Sequence, residues 1–243
     1  MNIIALQGLG NSSEDVLEKA KICADKTFIG ENISIHAFDL VGFGKSEGLK
    51  GDIDSFDSYV DLLGIFIDVV SKRYSINNFY LFGASLGAII VLMYQIKAER
   101  ESVNGIIAMA PPFGIKVPTG IRSVFYRIVY KINPLFHVSF TIPGIASNNQ
   151  LKKKPIRISV RFAYETVRAL GFISDRLSTI KTPVLVLQGI HDEVGNVEKI
   201  QEVFRSLKGE DNEIRLYDTD HAFSDNIIDV AFNDAISWIT AIS

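Results

Sequence analysis

Apolar residues run along this chain in two alternating rhythms. Short runs at Ile3–Leu6, Ile33–Phe38, Phe79–Phe82, Gly105–Met109, Val184–Leu187 and Ile214–Tyr217 read as strands. Several are apolar throughout, as expected where both faces of a sheet are covered. Longer stretches between them repeat at helical spacing. Phe56, Tyr59, Val60, Leu63, Phe66, Ile67 and Val70 make one stripe. Val197, Ile200, Val203, Phe204 and Leu207 make a second, and Ile227, Val230, Ala231, Ala235, Trp238 and Ile239 a third. Strand and helix in alternation predict an α/β protein with a mainly parallel sheet flanked by helices.

The rhythm breaks between Pro112 and Ile180, where prolines and the run Lys152-Lys153-Lys154 interrupt it. This stretch reads as an insertion, with a core built from residues 1–111 and 181–243 and a cap from 112–180. Inside it, Ile121, Val124, Phe125, Ile128, Val129 and Ile132 form one helical stripe.

A length of 243 residues suits one domain with such an insertion. The net charge of −3 gives no electrostatic footprint for nucleic acid. Cys23 is the only cysteine, so no internal disulfide forms, and its apolar neighbours predict a buried thiol. The start, Met1-Asn2-Ile3-Ile4-Ala5-Leu6, lacks the basic region of a secretion signal, and no apolar run reaches membrane-spanning length. A cytoplasmic location is expected.

Candidate chemistry begins at Gly83-Ala84-Ser85-Leu86-Gly87, between the strand Phe79–Phe82 and the apolar run Ala88–Met93. Strand, G-x-S-x-G, helix is the arrangement in which a tight turn lifts a serine hydroxyl clear of a sheet. The glycines remove side chains that would clash there. A helix opening at this point aims free N–H groups at developing negative charge.

A serine hydroxyl needs a base, and the base an orienting acid. His221 follows the last predicted strand, whereas His36 lies inside a strand, His137 in the insertion, and His191 directly beside an acid. Asp192 lies just past the strand ending at Leu187, where ligand sites of open α/β sheets sit. Glu193 is one residue late for that register, and Asp218 and Asp220 read as turn carboxylates. The candidate set is therefore Ser85, Asp192 and His221.

These motifs, in this order, resemble the monoacylglycerol lipase and lysophospholipase branch of the α/β-hydrolases, also called serine aminopeptidase-like. Asp39-Leu40-Val41-Gly42-Phe43-Gly44-Lys45-Ser46-Glu47-Gly48 is similar to the family's D-x-x-G-x-G-x-S-x-G loop, and Ser55 to Asp61 to its following helix. Gly83 to Gly87, Pro183 to Asp192, and His221 match its serine turn, acid strand and base. The glycine loop also ends like a phosphate-binding loop, but that motif needs glycine where Asp39 stands.

The resemblance implies an α/β-hydrolase fold, with the backbone N–H groups of Leu9 and Leu86 as oxyanion donors. Gln7-Gly8 stands where the family usually has His-Gly. The family also has two further strands before this loop, so the resemblance implies either an N-terminally shortened sheet, trimmed at its antiparallel edge, or an incomplete chain. An exposed sheet edge invites self-association, and a homodimer is expected.

Charge divides the chain unevenly. From Phe113 to Ile180 there are eleven lysines and arginines against two acids, a charge of +9. The remaining fourteen basic and twenty-six acidic residues leave the body at −12. Arg122, Arg127 and Lys131 flank the apolar stripe of the insertion, a pattern that suits peripheral contact with an anionic lipid surface. Phe125, Phe136, Phe140, Phe162 and Phe172 are expected to line an apolar pocket above Ser85.

The expected reaction is hydrolysis of a small lipid-like ester, monoacylglycerol or lysophospholipid, through an acyl-enzyme, with no metal or organic cofactor. Thioester, peptide or carbon–carbon bond hydrolysis on the same triad, and a non-catalytic binding role, stand as alternatives.

Overall fold

The computed structural model of the protein describes residues 1–27, 33–116, 121–140, 156–224 and 227–243; the side chains of residues 22–27, 121–126 and 140 fall outside this description. Cys23 is on a helix backbone, and its side chain belongs to that undescribed set.

Six strands form one sheet: β1 (Asn2–Leu6), β2 (Ser34–Ala37), β3 (Phe79–Ala84), β4 (Val103–Met109), β7 (Val184–Gly189) and β8 (Glu213–Tyr217). Their order is β2-β1-β3-β4-β7-β8, and all five pairings are parallel. A separate antiparallel pair, β5 (His137–Phe140) and β6 (Ile156–Ser159), lies in the segment between β4 and β7.

Apolar positions at every residue divide by the two-residue period of a strand. Ile4, Leu6, Phe79, Leu81, Ile106, Val184 and Val186 belong to one core cluster. Their neighbours Ile3, Tyr80, Ile107, Leu185 and Leu187 belong to the other. The first cluster is covered by α2 (Phe56–Tyr74), α3 (Leu86–Ala98) and α5 (Val160–Arg176), joined by α6 (Val197–Phe204). The second lies under α7 (Ile227–Ile242), with α1 (Ser13–Thr27) on the same side.

β1 leads outward to β2, while β3 leads the other way to β4. The reversal leaves a crevice at the C-terminal ends of β1 and β3, the ligand position of open α/β sheets.

The segment 112–180 contains α4 (Ile121–Ile132), matching the stripe read from sequence, then the β5–β6 pair and α5. By its position in the chain α5 falls inside the stretch read from sequence as an insertion. It nevertheless packs as a sheet-covering helix, with Phe162, Ala169, Leu170 and Ile173 in the main core.

A buried polar cluster ties the start of α5 to the loop before α2. Asp52 is buried, takes both Ser159 Oγ and Arg161, and shares Arg161 with Asp54. Ser159 N–H donates to Gly51 O at 2.8 Å. Gly51 has φ +69°, and a Cβ there would overlap the Arg157 carbonyl.

Burial raises the Asp52 carboxyl, but bonds from Arg161 and Ser159 outweigh this and hold it below its usual range. The stability this contributes is therefore present above about pH 4 and is lost as pH falls through the lowered value. Asp52→Asn should cost about 1–2 kcal/mol at pH 7, because the bonds from Arg161 and Ser159 lose their charged acceptor while Arg161 keeps Asp54. Urea unfolding at pH 7 and below pH 4 checks this; a gap from wild type that does not narrow in acid would contradict it.

Candidate active site

The run Gly83 to Gly87 forms the turn from β3 into α3. Ser85 has φ +51° and ψ −105°, a strained conformation for a residue with a Cβ. Its N–H donates to Met109 O of β4 at 2.8 Å. Neither flanking glycine has room for a side chain. A Cβ on Gly83 would overlap the Gly87 carbonyl, and one on Gly87 would overlap Leu6 of β1. The glycines are there for close approach rather than for positive φ. Ala110 and Phe223, also with positive φ, sit beside the same strand ends (φ +47° and +53°).

Three strand ends converge on this turn. His221, in the loop after β8, holds Ser85 Oγ with Nε2 at 2.9 Å and Asp192 Oδ2 with Nδ1 at 2.8 Å. Asp192 follows β7. Its Oδ1 accepts the N–H groups of Val194 (2.7 Å) and Gly195 (2.8 Å). The side chains of Asp192 and His221 are 0% and 3% exposed, so water scarcely competes for this pair. Burial alone would push the Asp192 carboxyl up. The bond and charge of His221, with N–H groups from Gly195 and Gln188, outweigh it and hold the carboxyl below its usual range.

Gly8, just after β1, packs against the turn from the other side: a Cβ there would lie 3.5 Å from Ser85 Cβ. Leu9 is the next residue, and Leu86 opens α3, where N–H groups have no carbonyl four residues back. Gln7 is buried and ties this loop down. Its amide donates to Phe38 O and accepts from Leu40 N, each at 3.1 Å. The substitution that sets this chain apart from the His-Gly pattern is thus a strand-to-strand brace. The Asp39 loop is a second brace: its carboxylate accepts from Ser13 N and Lys45 N, each at 2.7 Å. A Cβ on Gly44 would collide with that carboxylate.

The rejected candidates lie elsewhere. Glu193 is exposed. Asp218 pairs with His191 on the surface at 2.7 Å. Asp220 shapes the His221 turn by accepting from Ala222 N at 3.0 Å and Ser224 Oγ at 3.0 Å.

The five phenylalanines do not form one lining. The side chains of Phe125 and Phe140 lie outside the described residues. Phe136 is half exposed. Phe162 is buried between Phe43 and Phe56, with ring centroids 6.4 and 6.1 Å away, and pins α5 to the body. Phe172 lies under Arg176 (4.5 Å) and Lys97 (5.3 Å). Lys97 is twelve residues along α3 from Ser85, about 18 Å by helical rise, so Phe172 cannot line a pocket above the serine.

Gln188 is the residue that sequence reading missed. It is fully buried, and its Nε2 donates to Asp192 Oδ2 at 2.8 Å, the same oxygen that holds His221. Its place four residues before Asp192 at the end of an apolar strand was the only signal. Among the described residues, no three of His, Cys, Asp and Glu converge as a metal-binding group. No helix there is long and apolar enough to cross a membrane.

Sheet order, serine turn and convergent strand ends define an α/β-hydrolase. The profile of the serine aminopeptidase S33 family matches residues 3–221, and the chain belongs to that family. Several of its relatives are named monoglyceride lipases, which are carboxylic ester hydrolases. A monoglyceride lipase homolog of monkeypox virus is 24% identical over 232 residues, covering 87% of this chain and 82% of the viral protein. The probable lysophospholipase L2 of Haemophilus influenzae is 22% identical over 227 residues, covering 82% and 72%. The crystal structure of Paleococcus ferrophilus monoacylglycerol lipase superposes with a TM-score of 0.81 at 23% identity, over 100% of this chain and 95% of that one.

Proposed function

We propose that the protein cleaves esters of single-chain lipids, monoacylglycerol or lysophospholipid foremost, with Ser85 as nucleophile, His221 as base and Asp192 as acid. The observation that carries this is the buried relay from Ser85 Oγ to His221 to Asp192, with bonds of 2.9 and 2.8 Å on a strained turn. Ser85 Oγ attacks the ester carbonyl as His221 Nε2 takes its proton. The N–H groups of Leu9 and Leu86 receive the oxyanion. The alcohol leaves with the proton from His221. A water deprotonated by His221 then attacks the acyl-enzyme and releases the acid.

Relatives named for monoglyceride and lysophospholipid cleavage support the lipid reading. So does the surface of the segment 112–180, which we assign as the cap. Ile128 and Ile132 of α4 are 50% and 78% exposed, beside Arg127 and Lys131, and exposed Leu135 and Phe136 follow. A large apolar patch among bases suits an anionic lipid surface.

Hydrolysis of p-nitrophenyl esters from acetate to palmitate tests the reaction. A Ser85-dependent rate rising toward medium or long chains is expected; a folded protein inactive on every ester rejects it. With a long-chain ester carried in phosphatidylglycerol vesicles, Ile132→Asp should slow hydrolysis severalfold and leave p-nitrophenyl acetate untouched. An equal rate on vesicles would remove the surface role.

A further inference from the structure

β7 breaks its own pattern at one position. Val184 and Val186 point into the main core, and the two-residue period carries Gln188 to the same face. Gln188 is fully buried, so its amide gives up water on folding and needs partners inside the protein. Nε2 has two, Asp192 Oδ2 at 2.8 Å and Gly189 O at 3.1 Å. Oε1 is buried with none. The reverse amide orientation would set Oε1 against a carboxylate and a carbonyl, so the donor end is locked on Asp192. An apolar side chain would fill this place without an orphaned oxygen. A half-satisfied amide here is explained by what its N–H does to Asp192.

Asp192 receives four donors. Oδ1 takes the N–H groups of Val194 and Gly195, which fix the plane of the carboxylate. Oδ2 takes His221 Nδ1 and Gln188 Nε2. The two on Oδ2 compete. An oxygen whose charge is already drawn by an amide offers less to an imidazolium, and an imidazolium leaves less for the amide. The Gln188 bond is therefore strongest while the imidazole is neutral, the form that takes the serine proton. Burial pushes the Asp192 carboxyl up, and His221, Gly195 and Gln188 together hold it below its usual range.

We propose that Gln188 is a positioning residue for the ester chemistry: it holds Asp192 Oδ2 toward His221 Nδ1 and, by competing for that oxygen, favours the neutral imidazole that acts as base. This rests on the triad proposed above and adds a fourth member that acts only through Asp192. The other ionisable groups of the two loops are engaged elsewhere or exposed. Glu193 is exposed, Asp218 pairs with His191 on the surface, and Asp220 caps its own turn through Ala222 and Ser224. All of them stay in place when Gln188 is replaced.

Gln188→Met keeps the length and burial of the side chain and removes the donor. The test measures kcat/KM on p-nitrophenyl butyrate from about pH 5 to 9 for wild type and variant. The acid limb should move up by about one pH unit, so that the rate in acid falls about tenfold while the plateau stays within about threefold. A residue that only fills space would lower the plateau or the stability and leave the limb in place. Gln188→Leu serves where the first variant does not fold. A limb that stays put in a folded variant, or moves toward acid, overturns the role. A second readout needs no turnover. In full-length Ser85→Ala protein, the ¹H resonance of His221 Nδ1 should move downfield when Gln188→Met is added, because its competitor on Oδ2 is gone. An unmoved or upfield resonance also overturns the role. If the wild type hydrolyses no ester, the reaction proposed above fails while this resonance still reads the competition at Oδ2.

Discussion

Ser85→Ala is expected to lower kcat on a p-nitrophenyl ester by roughly 10⁴- to 10⁶-fold, because the remaining residues supply no nucleophile held by a base. The His221–Asp192 pair survives the change, since its bonds to Val194, Gly195 and Gln188 do not involve the serine. Stability separates this loss from misfolding. At φ +51° and ψ −105°, a Cβ costs about 1–3 kcal/mol. Ser85→Ala keeps that cost; Ser85→Gly removes it, less the roughly 0.5–1 kcal/mol that glycine loses on ordering. Ser85→Gly should thus be equally inactive but more stable than Ser85→Ala by about 1 kcal/mol, a Tm rise of roughly 2–4 °C. Calorimetry on both variants reads it. A Ser85→Ala enzyme within tenfold of wild type would remove Ser85 from its role, and a less stable glycine variant would remove the strain.

Asp192→Asn should lower kcat by roughly 10⁴-fold in a folded protein, through the tautomer of His221. Asp192 Oδ1 accepts two backbone N–H groups, so the amide oxygen of asparagine takes that position. The NH₂ then points where Oδ2 was, at His221 Nδ1 and Gln188 Nε2. Nδ1 must become an acceptor, which leaves the proton on Nε2 and nothing to receive the serine proton. Gln188 adapts: its Oε1 has no partner in the wild-type site, so the amide turns over and accepts the new NH₂. The imidazole ¹⁵N shifts of His221 check this directly. An Asp192→Asn variant with Nδ1 still protonated, or within a hundredfold of wild-type rate, would contradict the assignment.

Much of this site was legible because its signals are local. Each of Ser85, Asp192 and His221 closely follows an apolar run that is a strand, and strand ends in an open α/β sheet meet at one edge. The central strands were likewise legible, since a doubly covered strand is apolar at nearly every position, whereas β2 and β8 at the sheet edges carry His36 and Arg215. The phenylalanines were not. Phe172 and Phe162 look alike in a composition count, yet one lies beneath cations at the far end of α3 and the other is locked between two rings. Helix α5 escaped notice because the lysine run and prolines before it masked its spacing of Phe162, Ala169, Leu170 and Ile173.

By itself, the sequence determined the strands, the helical stripes, the tight glycine turn and the order of candidate groups, all of which depend on neighbours a few residues apart. Only the tertiary structure decided what depends on contacts between distant residues. Asp52 meets Arg161 across 109 positions. Gln7 braces β1 to the end of β2, and Gln188 shares an oxygen with a histidine from another strand end. The alanines of β1, β3, α1 and α7 leave a hollow only when four elements bring them together. Periodicity records which way a side chain faces; what it meets is set by packing, where each contact depends on the positions of all the others.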